Sequence, residues 1–183
     1  MLKKMRGFTL IELLIVVAII GILAALLIPN ALAAIQKAKQ KGTMKDINSI
    51  ATAITDFITD NGTAPISAPD GPITVGGQFY TDLSGFYLKV LPQNDQWGTP
   101  FEVWSGADTD GAYSGVTDCG SDDFLVMSYG RDKQPGGPND DAFDPQNPGT
   151  AYFPITGMIS FNNDLVNWSG SWIHAPKSAQ SGT

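Results

Sequence analysis

The sequence predicts an α+β protein in which one long N-terminal helix packs against a small antiparallel sheet. Three observations indicate this fold. The run from Phe8 to Ile28 is strongly hydrophobic and contains one charge, Glu12. Apolar residues then recur at steps of three and four between positions 44 and 58, as on one face of a helix. Short strand-like runs follow, separated by clusters of Gly, Pro and Asp.

Length and charge restrict the function classes. The chain has 183 residues and a formal net charge of −7, enough for one domain and an extended element. Loss of Lys3, Lys4 and Arg6 with a leader would leave 8 of the 11 basic residues against 18 acidic ones, a net charge of −10. Such a surface repels phosphate backbones, so we expect no nucleic-acid partner. Cys119 is alone, which excludes an intrachain disulfide and a CxxC site.

The N-terminal segment has the dimensions of a membrane span. At about 1.5 Å per residue, the apolar run is roughly 30 Å long, the thickness of a bilayer core. The preceding Lys and Arg residues should stay cytoplasmic, which places the rest of the chain outside the inner membrane. A secretory signal peptide cut near Ala31-Leu32-Ala33 is one alternative. A plain single-pass anchor is another, but a carboxylate such as Glu12 costs at least about 2.5 kcal/mol inside a membrane.

The segment Arg6-Gly7-Phe8-Thr9-Leu10-Ile11-Glu12 resembles the prepilin signature of type IV pilins and type II secretion pseudopilins. The resemblance implies that a prepilin peptidase cuts after Gly7 and that the new N-terminal residue, Phe8, is N-methylated. It also implies that Glu12 pairs with the N-terminal amine of a neighbouring subunit. Pro29 falls where helices of this family carry a proline that kinks them.

This resemblance implies three regions: a leader (1–7), a transmembrane and assembly segment (8–30), and a pilin head with the C-terminal half of the helix (31–183). The fold would be the pilin ladle. The chain would be a single-pass inner-membrane protein with a periplasmic head, and later a filament subunit. Its expected partners are further copies of itself, the prepilin peptidase, the inner-membrane assembly platform, and minor pilins or pseudopilins.

The helix should continue beyond the membrane. Its apolar stripe predicts a helix to about Asp60, where Asn61 and Gly62 form a stop signal, with a possible break near Pro29 or Gly42. The predicted strands are the runs 86–91, 101–104, 124–129 and roughly 165–173.

Three further segments resemble major pseudopilins of type II secretion. They are Leu91-Pro92 with residues 95–101 (DQWGTPF), residues 128–137 (SYGRDKQPGG), and residues 163–168 (NDLVNW). Gln96 and Lys133 depart from the family, which has proline and glycine at these places. Residues 105–123 and 138–160 look like insertions. The single cysteine favours a pseudopilin, whereas the insertions keep a surface pilin for adhesion or twitching motility as an alternative.

The family loop binds Ca²⁺, and this implies a structural calcium site in the head. Ca²⁺ takes six to eight oxygen ligands from flexible loops. The matching motif selects Asp132, while the second carboxylate is ambiguous. The D-x-x-N-W pattern favours Asp164, with Asn162, whereas proximity in sequence favours Asp140 and Asp141. The alternative is that these Asp and Asn residues only form turns.

An enzyme is not expected. The sequence has no G-x-S-x-G or H-E-x-x-H motif, and we expect His174, the one histidine, to be an exposed loop residue. Four tryptophans leave a membrane-tethered carbohydrate-binding module as an alternative of another class. Packing of these rings between sheet and helix is the simpler interpretation.

Overall fold

The computed structural model describes residues 8–66, 71–139 and 141–177. The chain divides into two compact units, residues 1–36 and 37–183. The described part of the first unit is the beginning of helix α1 (Leu10–Asn61), which continues into the second unit. The predicted break at Pro29 or Gly42 is wrong, because α1 is helical through both positions.

The C-terminal half of α1 is amphipathic, as predicted. Ile47, Ile50, Ala51 and Ile54 are buried in the core of the second unit. The helix ends at Asn61, and the Gly62 N–H donates to the Ile58 carbonyl at 2.7 Å. This capping bond confirms the stop signal of the sequence.

One six-stranded sheet provides the other side of this core. The strands are β1 (Gly71–Pro72), β2 (Glu102–Ser105), β3 (Phe124–Ser128), β4 (Tyr152–Phe153), β5 (Leu165–Trp168) and β6 (Ser171–Pro176). Their order is β1-β2-β3-β5-β6-β4. All neighbours are antiparallel except β4, which pairs in parallel with β6. The α+β class and the helix-on-sheet packing are therefore confirmed, although the sheet is mixed.

Two strand predictions were wrong. Residues 86–91 contain only the isolated bridge of Leu88 with Ser84, and they follow a short helix, α2 (Gln78–Leu83). Phe79 and Leu83 of α2 are buried, and in the run itself Leu91 is buried whereas Phe86 and Val90 are exposed, so α2 provides part of the core contacts expected of a strand. The run 165–173 is a hairpin of β5 and β6 that turns at Ser169 and Gly170.

The two insertions cover the outer face of the sheet. Along β3, Phe124 and Val126 pack on the α1 side, in the main core. Leu125 and Met127 belong to a second buried cluster, which we call the outer-face cluster. Tyr113 and Val116 from the first insertion complete that cluster, and Phe143 from the second packs against it. The two insertions also meet, since the Phe143 N–H donates to the Ser114 carbonyl at 2.9 Å. Every residue of β3 is consequently buried.

Candidate assembly segment and head loop

The start of α1 presents Glu12 in a specific local arrangement. Its carboxylate oxygen Oε2 accepts the Thr9 backbone N–H at 2.9 Å and the Thr9 hydroxyl at 2.7 Å. The Glu12 N–H donates to Thr9 Oγ1 at 3.4 Å. Thr9 is thus the N-cap, and Glu12 closes a capping box with it.

This capping box was not predicted, although its signal is present in the sequence. A Ser or Thr followed three residues later by Glu, before an apolar run, is the pattern of such a box. The cap gives the Glu12 carboxylate a local hydrogen-bonding partner within a single chain. Phe8 is 82% exposed, whereas Gly7 lies outside the described residues.

The apolar side chains that follow Glu12 have no cover among the residues that the structure describes. Residues 8–23 are all exposed. By length and composition, α1 is the one helix of the described residues that could cross a membrane, and its most apolar window has no buried residue. Pro29 lies inside α1, and its kink stays a prediction.

The turn after Leu91 is organised by one buried carboxylate. Asp95 is 5% exposed, and its Oδ1 accepts the backbone N–H groups of Trp97 and Thr99, both at 2.9 Å. Its Oδ2 accepts the Ser128 hydroxyl at 2.7 Å. These bonds tie the turn to the end of β3 and so join two of the segments that resemble the family.

The same turn contacts α1. The Gln96 N–H donates to the Thr43 hydroxyl at 3.1 Å, and the Gln96 side-chain amide donates to Asp46 at 2.8 Å. A Cβ at Gly42 would lie 2.9 Å from Cγ of Gln96. Gly42 therefore gives the turn access to the helix, and the glutamine that departs from the family contributes two bonds to this contact.

The head loop, residues 128–139, has left-handed backbone at two of its glycines. Gly130 and Gly136 have positive φ angles of 69° and 89°. Lys133 has a φ of 62° where the family has glycine, so the position keeps the left-handed conformation despite its side chain. A Cβ on Gly137 would lie 2.7 Å from Cα of Asn163, so this glycine permits the close approach of residues 162–164.

The predicted metal ligands lie in different environments. Asp164 is 2% exposed, and its Oδ2 accepts the Gly136 N–H at 2.8 Å. Asp132 is exposed and accepts the Gln134 N–H at 3.3 Å, while Asn162 Oδ1 accepts Nε of Arg131 at 2.9 Å. Asp141 is exposed as well. Within the described ranges, no group of three or more His, Cys, Asp or Glu residues is placed to hold a metal, and Asp140 lies outside those ranges.

His174 occupies a position that the sequence did not predict. It lies on β6 with no exposed surface, so the expectation of an exposed loop residue was wrong. Its Nδ1 is 2.7 Å from the Asp164 carbonyl oxygen, and its Nε2 is 2.9 Å from that of Asn139. The imidazole thereby links the end of the head loop to the start of β5. An isolated histidine in an unassigned tail carried no signal for this role.

Comparison with known proteins supports these observations. The family description "Prokaryotic N-terminal methylation motif" matches residues 2–28. Relatives called "Type II secretion system core protein G" include one from Vibrio cholerae, 33% identical over 148 residues, which are 74% of this chain and 89% of the relative. The one from Pseudomonas aeruginosa is 33% identical over 145 residues, 76% of this chain and 93% of the relative. No solved structure matches the chain. The chain belongs to the family of type II secretion system core protein G.

Proposed function

We propose that this chain is the structural subunit of the pseudopilus of a type II secretion system. The observation that carries the proposal is the start of α1. There, the methylation motif covers the first turns of the helix, and a single carboxylate, Glu12, lies in the first turn. The apolar side chains that follow Glu12 have no cover among the residues that the structure describes. A helix of this kind is covered either by lipid or by other helices. The same segment therefore serves first as an inner-membrane anchor and then as the core of a filament.

The assembly step follows from the electrostatics of this segment. Removal of residues 1–7 by a prepilin peptidase would create a free amine at Phe8, which is then N-methylated. In a bundle of apolar helices, an isolated ammonium or carboxylate is costly, whereas a close pair of opposite charge offsets that cost. Glu12 of one subunit would pair with the Phe8 amine of the next, while Thr9 satisfies Glu12 before assembly. Because the Glu12 carboxylate and the Phe8 amine must meet, this pairing favours one axial register between neighbouring subunits of the filament.

The family relationship favours the pseudopilus over a surface pilus used for adhesion or motility. It also disfavours a membrane-tethered carbohydrate-binding module. Trp104 and Trp168 pack against the outer-face cluster, and Trp172 packs against the main core, which accounts for three of the four tryptophan rings. We infer a structural role without catalysis, a periplasmic head, and partners among the assembly platform and minor pseudopilins.

We also propose that the head loop binds Ca²⁺ as a structural ligand. The oxygen groups of Asp132, Asp164 and Asn162, with Asp140 or Asp141, have the donor chemistry that Ca²⁺ prefers. Among the candidates for the second carboxylate ligand, Asp164 is favoured because its carboxylate accepts a hydrogen bond from the Gly136 N–H of the loop. Ca²⁺ would hold the loop against residues 162–164, where direct hydrogen bonds already connect them.

Two substitutions at Glu12 test the assembly mechanism. Glutamine keeps the oxygen that accepts the Thr9 bonds but removes the charge, whereas alanine removes both. We expect Glu12→Gln and Glu12→Ala to leave the chain processed and inserted in the membrane, with filaments reduced at least about tenfold for each, the loss expected for about 1.4 kcal/mol. Immunoblots of processed protein, filament shearing and secretion of exoproteins measure these outcomes.

The two variants separate pairing from capping. Normal filaments from Glu12→Gln, with loss only in Glu12→Ala, would assign Glu12 to the helix cap and refute pairing with the amine. Normal exoprotein secretion after deletion of the gene would refute the pseudopilus itself.

A further inference from the structure

The solvent-facing side of α1 carries an ordered charge pattern within the second unit. Exposed residues recur at steps of three and four from Lys37 to Asp60. The pattern begins with three lysines, continues through the uncharged Asn48 and Thr52, and ends with two aspartates. We call Lys37, Lys41 and Lys45 the basic rung, and Asp56 and Asp60 the acidic rung.

Each rung borders its own shallow groove. Lys41 and Lys45 line one together with Met44 and polar side chains of α1. Asp56 and Asp60 line the other with Phe86 and Tyr87. One helix face therefore presents a basic groove at one end and an acidic, aromatic groove at the other.

The acidic groove is poorly explained by the stability of a single chain. The last turn of α1 has no basic residue, although the negative end of a helix dipole favours cations. Asp60 lies in that turn and accepts the Tyr87 hydroxyl at 3.0 Å. Burial is the main cause that raises the pKa of Tyr87, and its hydrogen bond with Asp60 raises the pKa further. A cation placed here would relieve the repulsion between Asp60 and the helix dipole.

Phe86 adds a second feature that suits a cation. Its ring is 81% exposed beside Tyr87, with ring centroids 4.8 Å apart. An ammonium over an aromatic face is attracted by the negative face of the ring. Asp56 and Asp60 beside this ring form a receptor for the end of a lysine side chain.

We propose that the basic rung of one copy of this chain docks into the acidic groove of a second copy in the same filament. The inference rests on the proposed filament, in which all α1 helices run parallel. Because the contact joins two different patches, it is heterologous and continues from copy to copy, as a helical polymer requires. It thus supplies a contact between heads in addition to the apolar core.

The spacing of the charges restricts the register. Neighbouring residues within each rung are four positions apart, so one axial shift aligns two pairs at once. A shift of 15 residues pairs Lys41 with Asp56 and Lys45 with Asp60, at about 22 Å along parallel helices. A shift of 19 residues pairs Lys37 with Asp56 and Lys41 with Asp60, at about 28 Å. Lys41 has an aspartate partner in both registers.

Cysteine crosslinking in assembled filaments tests the contact. Cys119→Ser removes the natural thiol, after which Lys41→Cys is combined with Asp56→Cys or Asp60→Cys in one chain. Positions 41 and 56 are about 22 Å apart along their own helix, too far for a short bis-maleimide, so any crosslink joins two copies. A lysine–aspartate pair can hold its Cα atoms farther apart than the roughly 7 Å that a disulfide allows. We therefore expect the bis-maleimide to give a ladder of covalent multimers for at least one pair. Lys41→Cys alone should remain monomeric.

Charge exchange is the second arm. Lys41→Glu with Lys45→Glu, or Asp56→Lys with Asp60→Lys, should each reduce filament yield at least about fivefold, equivalent to about 1 kcal/mol. The chain with all four changes should recover most of the yield. As a matched control, Asp108→Lys with Asp122→Lys makes the same charge change at exposed residues of the first insertion and should assemble normally.

The outcomes distinguish this contact from the filament itself. Absence of filaments from the unmodified chain would contradict the proposed function. Filaments from the cysteine variants without crosslinks from either pair would overturn the docking contact alone. Equally efficient crosslinking of Lys41→Cys by itself, which with one thiol per chain gives only dimers, would overturn it too, because that result indicates like patches in contact. Failure of the four-change chain to recover, while its melting in detergent is unchanged, would exclude charge pairing.

Discussion

Glu102 shows how a single residue in the sheet makes the fold depend on pH. It lies on β2 beside the chain at Gly71, where a Cβ would be 3.2 Å from its carboxylate. Burial raises the pKa of Glu102 above its ordinary value of 4.5. Tyr129 follows the neighbouring strand β3. Burial is the main cause that raises the pKa of Tyr129, and the charge of Glu102 raises it further. Ionised Glu102 is therefore disfavoured by the folded state.

We expect Glu102→Gln to stabilise the protein at neutral pH. A carboxyl group whose pKa is raised by folding contributes stability below its ordinary pKa, and this contribution is lost as pH rises through the folded value. The gain should be at most about 0.5 kcal/mol because the group is partly exposed, or about 1–2 °C in Tm. It should disappear near pH 3. Thermal melting of the full chain in detergent at both pH values measures it.

Asp144 is a control of opposite sign. Hydrogen bonds from the Asn147 side chain and the Gln146 N–H lower the pKa of Asp144. Asp144→Asn should therefore lower Tm at pH 7 and have no effect once pH falls below the folded pKa. A stabilisation by Glu102→Gln that persists unchanged at pH 3 would contradict the assignment to ionisation.

At the scale of elements, β3 is the organising strand. Its alternate residues serve two cores, one shared with α1 and one shared with the insertions. A strand that is buried on both faces has a continuous run of apolar residues, as the first four residues of β3 do. The insertions are consequently part of the hydrophobic structure of the head, and Cys119 packs against the outer-face cluster that they complete.

Gly115 tests the contact between the two insertions. It has a φ of +89°, and a Cβ there would lie 2.0 Å from the Phe143 carbonyl oxygen. Gly115→Ala must move backbone in one insertion, so we expect a loss of at least about 2 kcal/mol in the free energy of unfolding. Urea denaturation of the full chain in detergent measures this loss.

Gly149 is the matched control, because a Cβ there meets no atom within 4 Å and the residue lies in the second insertion. Gly149→Ala should change the stability by less than about 0.5 kcal/mol. Equal effects at the two glycines would show that the insertions do not depend on this contact.

Predictability differed between elements for a physical reason. Helix α1 and β3 are determined by local periodicity and apolar runs, and both were predicted with nearly correct bounds. The run 86–91 is also largely apolar but forms no strand. There α2 provides Phe79 and Leu83 to the core, and of the run itself Leu91 is buried while Phe86 and Val90 are exposed. Burial of Phe79 depends on partners distant in sequence, and this information is not local.

At the scale of the whole molecule, calcium binding by the head can be tested directly. Ca²⁺ stabilises a fold by binding only its native state, at a free energy of RT ln(1 + [L]/Kd). We expect the Tm of the full chain in detergent to rise with added Ca²⁺ and to fall with a chelator, by several degrees at about 100 times Kd.

Asp132→Asn should abolish this response, and Asp122→Asn should retain it, since Asp122 is also exposed but lies in the first insertion. A melting temperature indifferent to both Ca²⁺ and chelator would refute the site. The hydrogen bonds of Arg131, Gly136 and Asn139 to residues 162–164 would then hold the loop unaided.

The sequence by itself determined the assembly segment, because Phe8, Glu12 and the apolar run act through local patterns and the hydrophobic length of a membrane. It also determined the family and the stripe of α1 that meets the sheet. Only the tertiary structure decided the place of His174, the second core beneath the insertions, and the approach of Gln96 to Thr43. These contacts join residues that are distant in the chain. Local sequence propensity does not predict such contacts, because they depend on the packing of the whole fold.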